Sequence, residues 1–196
     1  MLYLKKGESM EDLILLEDEV PEERRITEDV IRKLGKPRFQ TIDNNCFEEY
    51  IYKYCIQLME YSMIKHQSKE MAYAINLISL DFAGAVFGNS RNIKLDELEC
   101  VIDEDAEYLI MHNHPSNNCF SYRDLYTFIG LKNIRVLMVI GNGGNIYIIE
   151  KSRKIEGQQL LFLRKVLHKF ANGELEYSQL IEVLGKYGIR YTEVLP

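Results

Sequence analysis

The segment His112-Asn113-His114-Pro115-Ser116-Asn117-Asn118-Cys119-Phe120-Ser121-Tyr122-Arg123-Asp124 decides how this chain is read. Ahead of it, Glu107–His112 is a compact apolar run with the length of a strand. Behind it, Ser121 to about Leu131 has the pattern of a helix, and Ile134–Ile140 is a second strand rich in branched residues. Strand, loop, helix and strand in that order place the chain in the α/β class. Within the segment, His112 and His114 are two residues apart, so the alternation of a strand puts both imidazoles on one side. Pro115 keeps His114 extended. Ser121 is a natural helix N-cap, and Asp124 follows inside the first turn. Two nitrogens and a carboxylate then meet where the strand ends and the helix begins. Three protein ligands that leave a place for water make a catalytic zinc site rather than a structural one.

Hydrolysis at such a site needs a separate proton acceptor, because a ligating histidine has no free lone pair. Glu70 is the candidate. It leads the stretch Glu70–Leu80, which reads as a strand lying beside the one that ends at His112. Glu97, Glu99, Glu104 and Glu107 are also upstream, closer to His112 in sequence. Cys119 falls inside the segment, where a thiolate would also bind zinc; packing under the helix is the plainer reading of that thiol. His66 and His168 sit on helical stretches and receive no role.

Further out, Cys46 to about Gln67 is helical, with Phe47, Ile51, Tyr54, Cys55, Leu58, Met59 and Ser62 at spacings of three and four, and Asn44 or Asn45 as N-cap. Asp81–Gly84 reads as a hairpin turn followed by a return strand over Ala85–Gly88; Ile93–Leu95 reads as a short strand and Asp96–Ile102 as a helix. Gly141-Asn-Gly-Gly144 joins two strands as a hairpin turn, with Asn145–Glu150 returning; without a following Lys-Ser/Thr it is not a phosphate loop. Glu156–Phe170 and Glu174–Lys186 close the chain as two helices. The expected organisation is an acidic N-terminal appendage (1–45) with a short helix at Thr27–Leu34, a catalytic core (46–150), and a C-terminal helical extension (151–196). The sheet is expected to be mixed and mainly antiparallel, flanked by helices.

The 196 residues suffice for one filled domain, and 46% apolar with 28% charged residues is ordinary for a globular protein. No apolar run approaches membrane-spanning length, and no apolar h-region follows the first lysines, so a cytoplasmic location is expected. The net charge of −6 argues against non-specific binding to nucleic acid. Four cysteines without a C-x-x-C pair argue against a cysteine zinc knuckle or a thioredoxin-like motif.

The motif resembles that of the JAMM (JAB/MPN) metalloenzymes, and its wording is most similar to the bacterial RadC-like branch: an upstream Glu, His-x-His-Pro, then Ser-x-x-Asp. The resemblance spans roughly residues 45–150. It implies a cytidine-deaminase-like architecture, zinc held by His112, His114 and Asp124, Glu70 as acid/base, and Ser121 stabilising the tetrahedral intermediate. It also implies a peptidase or isopeptidase acting on a protein or peptide, such as a ubiquitin-like or sulfur-carrier modifier. The other functions it brings are a RadC-like nucleic-acid-associated role and a non-catalytic MPN-type interaction module. One departure stands out. Five residues separate Pro115 from Ser121, one fewer than the family's usual spacing. Oligomeric state is not encoded in any of these features.

Overall fold

The computed structural model describes residues 18–42, 45–95, 97–98, 103 and 105–196. A six-stranded mixed sheet runs through it, built from β1 (Met71–Asn76), β2 (Phe82–Phe87), β3 (Tyr108–His114), β4 (Ile134–Gly141), β5 (Ile146–Lys151) and β6 (Ile189–Val194). Their order across the sheet is β2-β1-β3-β4-β5-β6. Every neighbouring pair is antiparallel except β3 and β4, which are parallel. A parallel pair needs a crossover, and the helix between β3 and β4 supplies it. The helices are α1 (Glu28–Lys33), α2 (Asn45–Lys65), α3 (Tyr122–Gly130), α4 (Gly157–Ala171) and α5 (Tyr177–Lys186).

The pleat sorts the strand residues onto two cores. Ala72, Ala74, Tyr108, Ile110, Leu137, Val139 and Ile149 pack with α3, α4 and α5. Tyr73, Ile75, Leu109, Met111, Met138 and Ile148 pack with α2 and with Ile26, Ile31 and Leu34 of the N-terminal region. The sheet is therefore covered on both faces, and all seven residues of β3 are buried. On α3 the residues Leu125, Phe128 and Ile129 are buried, each contributing about 1.5–3 kcal/mol by burial, which fixes the helix over the end of β3.

Several expectations change in detail. The β1–β2 turn lies before Phe82 rather than at Asp81–Gly84. The Asn76 side chain accepts from the Ile78 and Ser79 amides, so the chain reverses there, and Gly84 pairs with Ala74 inside the ladder. Ile93–Leu95 forms no strand; Ile93 and Leu95 are buried core residues, and Leu95 begins a 3-10 turn. The Asn44 cap, Cys100, the Leu13–Leu16 run and most of the Asp96–Ile102 helix lie outside the described residues. The C-terminal region contains the two expected helices, and after them β6 adds a sixth strand beside β5. Its Tyr191 and Val194 were too sparsely apolar to announce it. Residues 18–42 lie on the domain: Ile26 N–H donates to Ser68, and Glu150 accepts from Gln40 and Thr41. No helix among the described residues is long and apolar enough to cross a membrane.

Candidate metal centre

The site sits at the C-terminal end of β3, where the parallel crossover leaves the sheet. His112 and His114 continue the series Tyr108 and Ile110 on the α3 face, while Asn113 turns to the opposite face. That alternation is the one expected from the sequence. The Nε2 atoms of His112 and His114 stand 2.9 Å apart. Asp124 Oδ1 is 3.4 Å from His112 Nε2, and Oδ2 is 3.5 Å from His114 Nε2. All three side chains are buried, and their ligand atoms converge closely enough to hold one metal ion.

Asp124 reaches this position through the cap. Ser121 Oγ accepts the Asp124 N–H at 3.2 Å, and the Ser121 N–H donates to Asp124 Oδ2 at 2.6 Å. This reciprocal pair fixes the first turn and aims the carboxylate at the imidazoles. The short loop is absorbed by a tight turn. Asn117 N–H donates to the His114 carbonyl at 3.1 Å, and Asn117 takes a φ of 56°. Its side chain accepts from Gly143 N–H and lies so close to Gly141 that a Cβ there would stand 1.9 Å from Asn117 Oδ1. The β4–β5 turn therefore carries glycine partly to make room for the loop of the site.

The protonation pattern favours a cation. His114 Nδ1 is 3.0 Å from the Asn118 carbonyl, which can only accept, so Nδ1 carries the proton and Nε2 presents a lone pair. Burial pushes the His112 imidazole down toward its neutral form, against the pull of Asp124. Burial also opposes charge on Asp124, yet the two imidazoles hold it well below the usual carboxylate range. For His114, burial is outweighed by the Asp124 carboxylate, and its affinity for a proton rises. The His114 lone pair and an ionised carboxylate thus face the His112 ring out of solvent. A metal ion bound by all three groups at about 2.0–2.2 Å would set their ligand atoms about 3.3–3.6 Å apart; the two imidazole–carboxylate gaps match this, and the 2.9 Å gap between the imidazoles is shorter. His112 Nδ1 is buried without a hydrogen-bond partner among the described residues.

Glu70 lies just before β1. Ala72 pairs with His112, so Glu70, two residues back on the same face, stands level with His114. It is 6% exposed and lines a cleft of about 640 Å³ together with His114, Ser121 and Asp124. Burial raises its pKa to about 7, aided by Asp124 and opposed by His114. The glutamates nearer in sequence are elsewhere: Glu107 pairs with Arg135 at 2.9 Å at the opposite end of β3, and Glu97 is exposed beside Lys94. Glu99 and Glu104 lie outside the described residues. Cys119 lines the cleft but does not join the converging ligand atoms.

Asn113 is the residue whose role went unread in the sequence. Its Oδ1 accepts the Met71 N–H at 2.9 Å, and its Nδ2 donates to the Lys69 carbonyl and to Asn142 Oδ1. Asn142 in turn donates to the Arg24 and Ser68 carbonyls. These buried amides tie β3 to the chain entering β1, and so set Glu70 against His114. The signal was present: an amide in a strand apolar on both faces must find partners. No protein-family model matches the chain, and comparison with curated proteins and with solved structures gives no match.

Proposed function

We propose that this chain is a zinc-dependent peptidase or isopeptidase of the JAMM type, with a JAB/MPN-like core. The observation that carries the reading is the convergence of His112, His114 and Asp124, with His114 and Asp124 lining a cleft that the buried Glu70 also lines. Zinc held by those three residues would supply Lewis acidity, acidifying water and polarising a substrate carbonyl. Glu70 does the proton work. Its carboxylate takes a proton from the attacking water as the new C–O bond forms. The resulting carboxylic acid gives that proton to the amine nitrogen as the C–N bond breaks. A pKa near neutrality suits a group that must both accept and return a proton. Ser121 accepts from the Asp124 amide, which leaves its own O–H to donate to the oxyanion of the tetrahedral intermediate. The substrate class is a protein or peptide tail, with ubiquitin-like and sulfur-carrier modifiers as its first members to test.

The test uses linear fusions of such modifiers, incubated with and without chelator, alongside a zinc assay. Glu70→Gln is expected to keep its zinc and lose about 10²–10⁴ in kcat. A fully active Glu70→Gln protein would remove Glu70 from the mechanism. Zinc-loaded protein that cleaves none of the fusions would leave the scaffold reading in its place.

A further inference from the structure

Beside the cleft of the metal site runs a second one of about 670 Å³, and the two share Ile93, Tyr122, Arg123 and Asp124. Together they form one groove along α3. In a chain of net charge −6 the wall of the second cleft has the opposite sign. It presents Lys94, Arg123 and Arg164, and Asp124 is its lone acid among the described residues. Asp124 is already turned to the imidazoles. Lys94 is partly matched by Glu97 at 3.6 Å, which leaves the two arginines as the cleft's unmatched cations among the described residues. Arg123 is exposed, and neither arginine has an ion pair among the described residues. Arg164 reaches over from α4, with its guanidinium 5.1 Å from the centre of the Tyr126 ring. Its Nε is buried and has no hydrogen-bond partner among the described residues.

A buried donor without an acceptor is costly, and a guanidinium held on an aromatic face has already lost much of its freedom. Both features describe a prepared site for a planar anion. The geometry points to a carboxylate-binding subsite formed by Arg164 and Arg123, which takes an acidic group of the peptide substrate beside the scissile bond. A guanidinium fork matches a carboxylate with two parallel bonds. The second cleft offers two such forks and the neighbouring one adds Arg91, short of the long basic track a nucleic-acid backbone requires. The carboxylate comes from an Asp or Glu side chain or from a chain terminus; the chemistry is the same. The word substrate rests on the hydrolase reading, whereas binding itself does not.

Four fluorescein-labelled Gly/Ser peptides serve as probes: one pair bearing Glu, one bearing Gln, each with a free or an amidated C-terminus. Fluorescence anisotropy at low ionic strength with the full chain is expected to show the amidated Glu peptide binding about tenfold tighter than its Gln counterpart. An equal gain for the free-terminus Gln peptide would assign the subsite to chain ends. Arg164→Gln should erase the preference, and Arg123→Gln, at an exposed position that cannot unfold the domain, should weaken it. Equal binding of all four peptides, or a preference surviving in both variants, would overturn the proposal. So would an oligothymidylate that outcompetes the Glu peptide and loses its binding in the same variants. Acidic-peptide binding without cleavage would sink the hydrolase reading alone. Cleavage of Glu and Gln peptides at the same kcat/KM, with no binding preference, would sink the subsite alone.

Discussion

Helix α3 is held at both ends by buried ionisable groups of opposite sign. At its N-terminus stands Asp124; at its C-terminus Lys151 donates to the Phe128 and Leu131 carbonyls at 2.6 and 2.7 Å, with its ammonium 4.6 Å from the centre of the Phe128 ring. Both charges oppose the local end of the helix dipole. They differ in what remains unsatisfied. Lys151 has two acceptors for its protons and no ion pair among the described residues, so it is complete as it stands. Asp124 has satisfied one backbone donor and still faces two imidazole nitrogens across gaps suited to a cation. A buried charge whose bonds are complete is architecture; one that still faces two imidazole nitrogens is a candidate metal site.

The sharpest way to break that contrast is Asp124→Asn. An asparagine oxygen can still accept the Ser121 N–H, so the helix start should survive. The negative ligand is gone, and zinc binding with it. Activity on any cleaved substrate should fall about 10³-fold or more, close to 4 kcal/mol of barrier. The measurement is zinc content per chain after dialysis, beside helicity by circular dichroism. A variant that keeps one zinc per chain would reduce Asp124 to a cap, the counterpart of Lys151 and nothing more.

The next effect separates Glu70 from Lys151 by pH, in protein kept metal-free with chelator. Glu70 has a folded pKa of about 7 against 4.5 for the free group. The folded chain therefore binds more protons between those values, and this contribution to stability is lost as pH rises from 4.5 to 7. The loss amounts to about 3 kcal/mol. Burial lowers Lys151 from 10.5 to about 7, so here the folded chain binds fewer protons, and stability rises from pH 7 toward 10.5. The slope is at most about 1.4 kcal/mol per pH unit in either limb. A neutral amine retains two N–H groups, so both carbonyl bonds persist through the upper limb. Denaturant melts across pH should show Glu70→Gln flattening the lower limb and Lys151→Met the upper. The same Glu70→Gln change, expected under the proposed function to abolish turnover, should make the metal-free protein more stable at pH 8. If it is less stable there, Glu70 is a structural carboxylate, and the contrast with a merely satisfied charge fails.

A smaller effect concerns the loop between the two halves of the site. Gly141→Ala would drive a Cβ into the Asn117 side chain and displace the turn that shortens the loop. A loss of about 2 kcal/mol is expected, with weaker zinc binding as its companion. Zinc affinity unchanged in a destabilised Gly141→Ala protein would show that the loop does not set the position of Asp124. This coupling marks the limit of what the sequence made legible. The His112/His114 alternation, the Ser121 cap and the Asp124 position were readable because each is a short-range rule: pleat, cap, first turn. The helix α3 and the β4–β5 turn followed from local pattern in the same way. What stayed hidden depends on contacts far apart in the chain. The Asn117–Gly141 packing joins two turns distant in sequence, and Asn113 works by gripping Lys69 and Met71. The strand β6 takes its place only because β5 presents an open edge. Even the misplaced β1–β2 turn was a local error with a local cause: Asn76 reverses the chain by capping its own loop, a signal weaker to the eye than the Gly84 that follows.

The smallest effect resolves the double use of Ser121. Its oxygen accepts the Asp124 amide, and its hydroxyl proton is assigned to the oxyanion. Alanine removes both functions. Glycine removes them as well, yet an exposed N-cap glycine leaves its amides accessible to water. Ser121→Ala should therefore cost about 1 kcal/mol of metal-free stability and Ser121→Gly only a few tenths. Turnover at saturating zinc and substrate should fall equally in the two, because neither has a donor to offer. Activity that tracks stability instead, with glycine near the parent protein and alanine well below it, would mean that Ser121 serves only to aim Asp124. The N-terminal end of α3 would then act through its carboxylate alone, and the contrast with Lys151 would rest on Asp124 and the two histidines rather than on the cap.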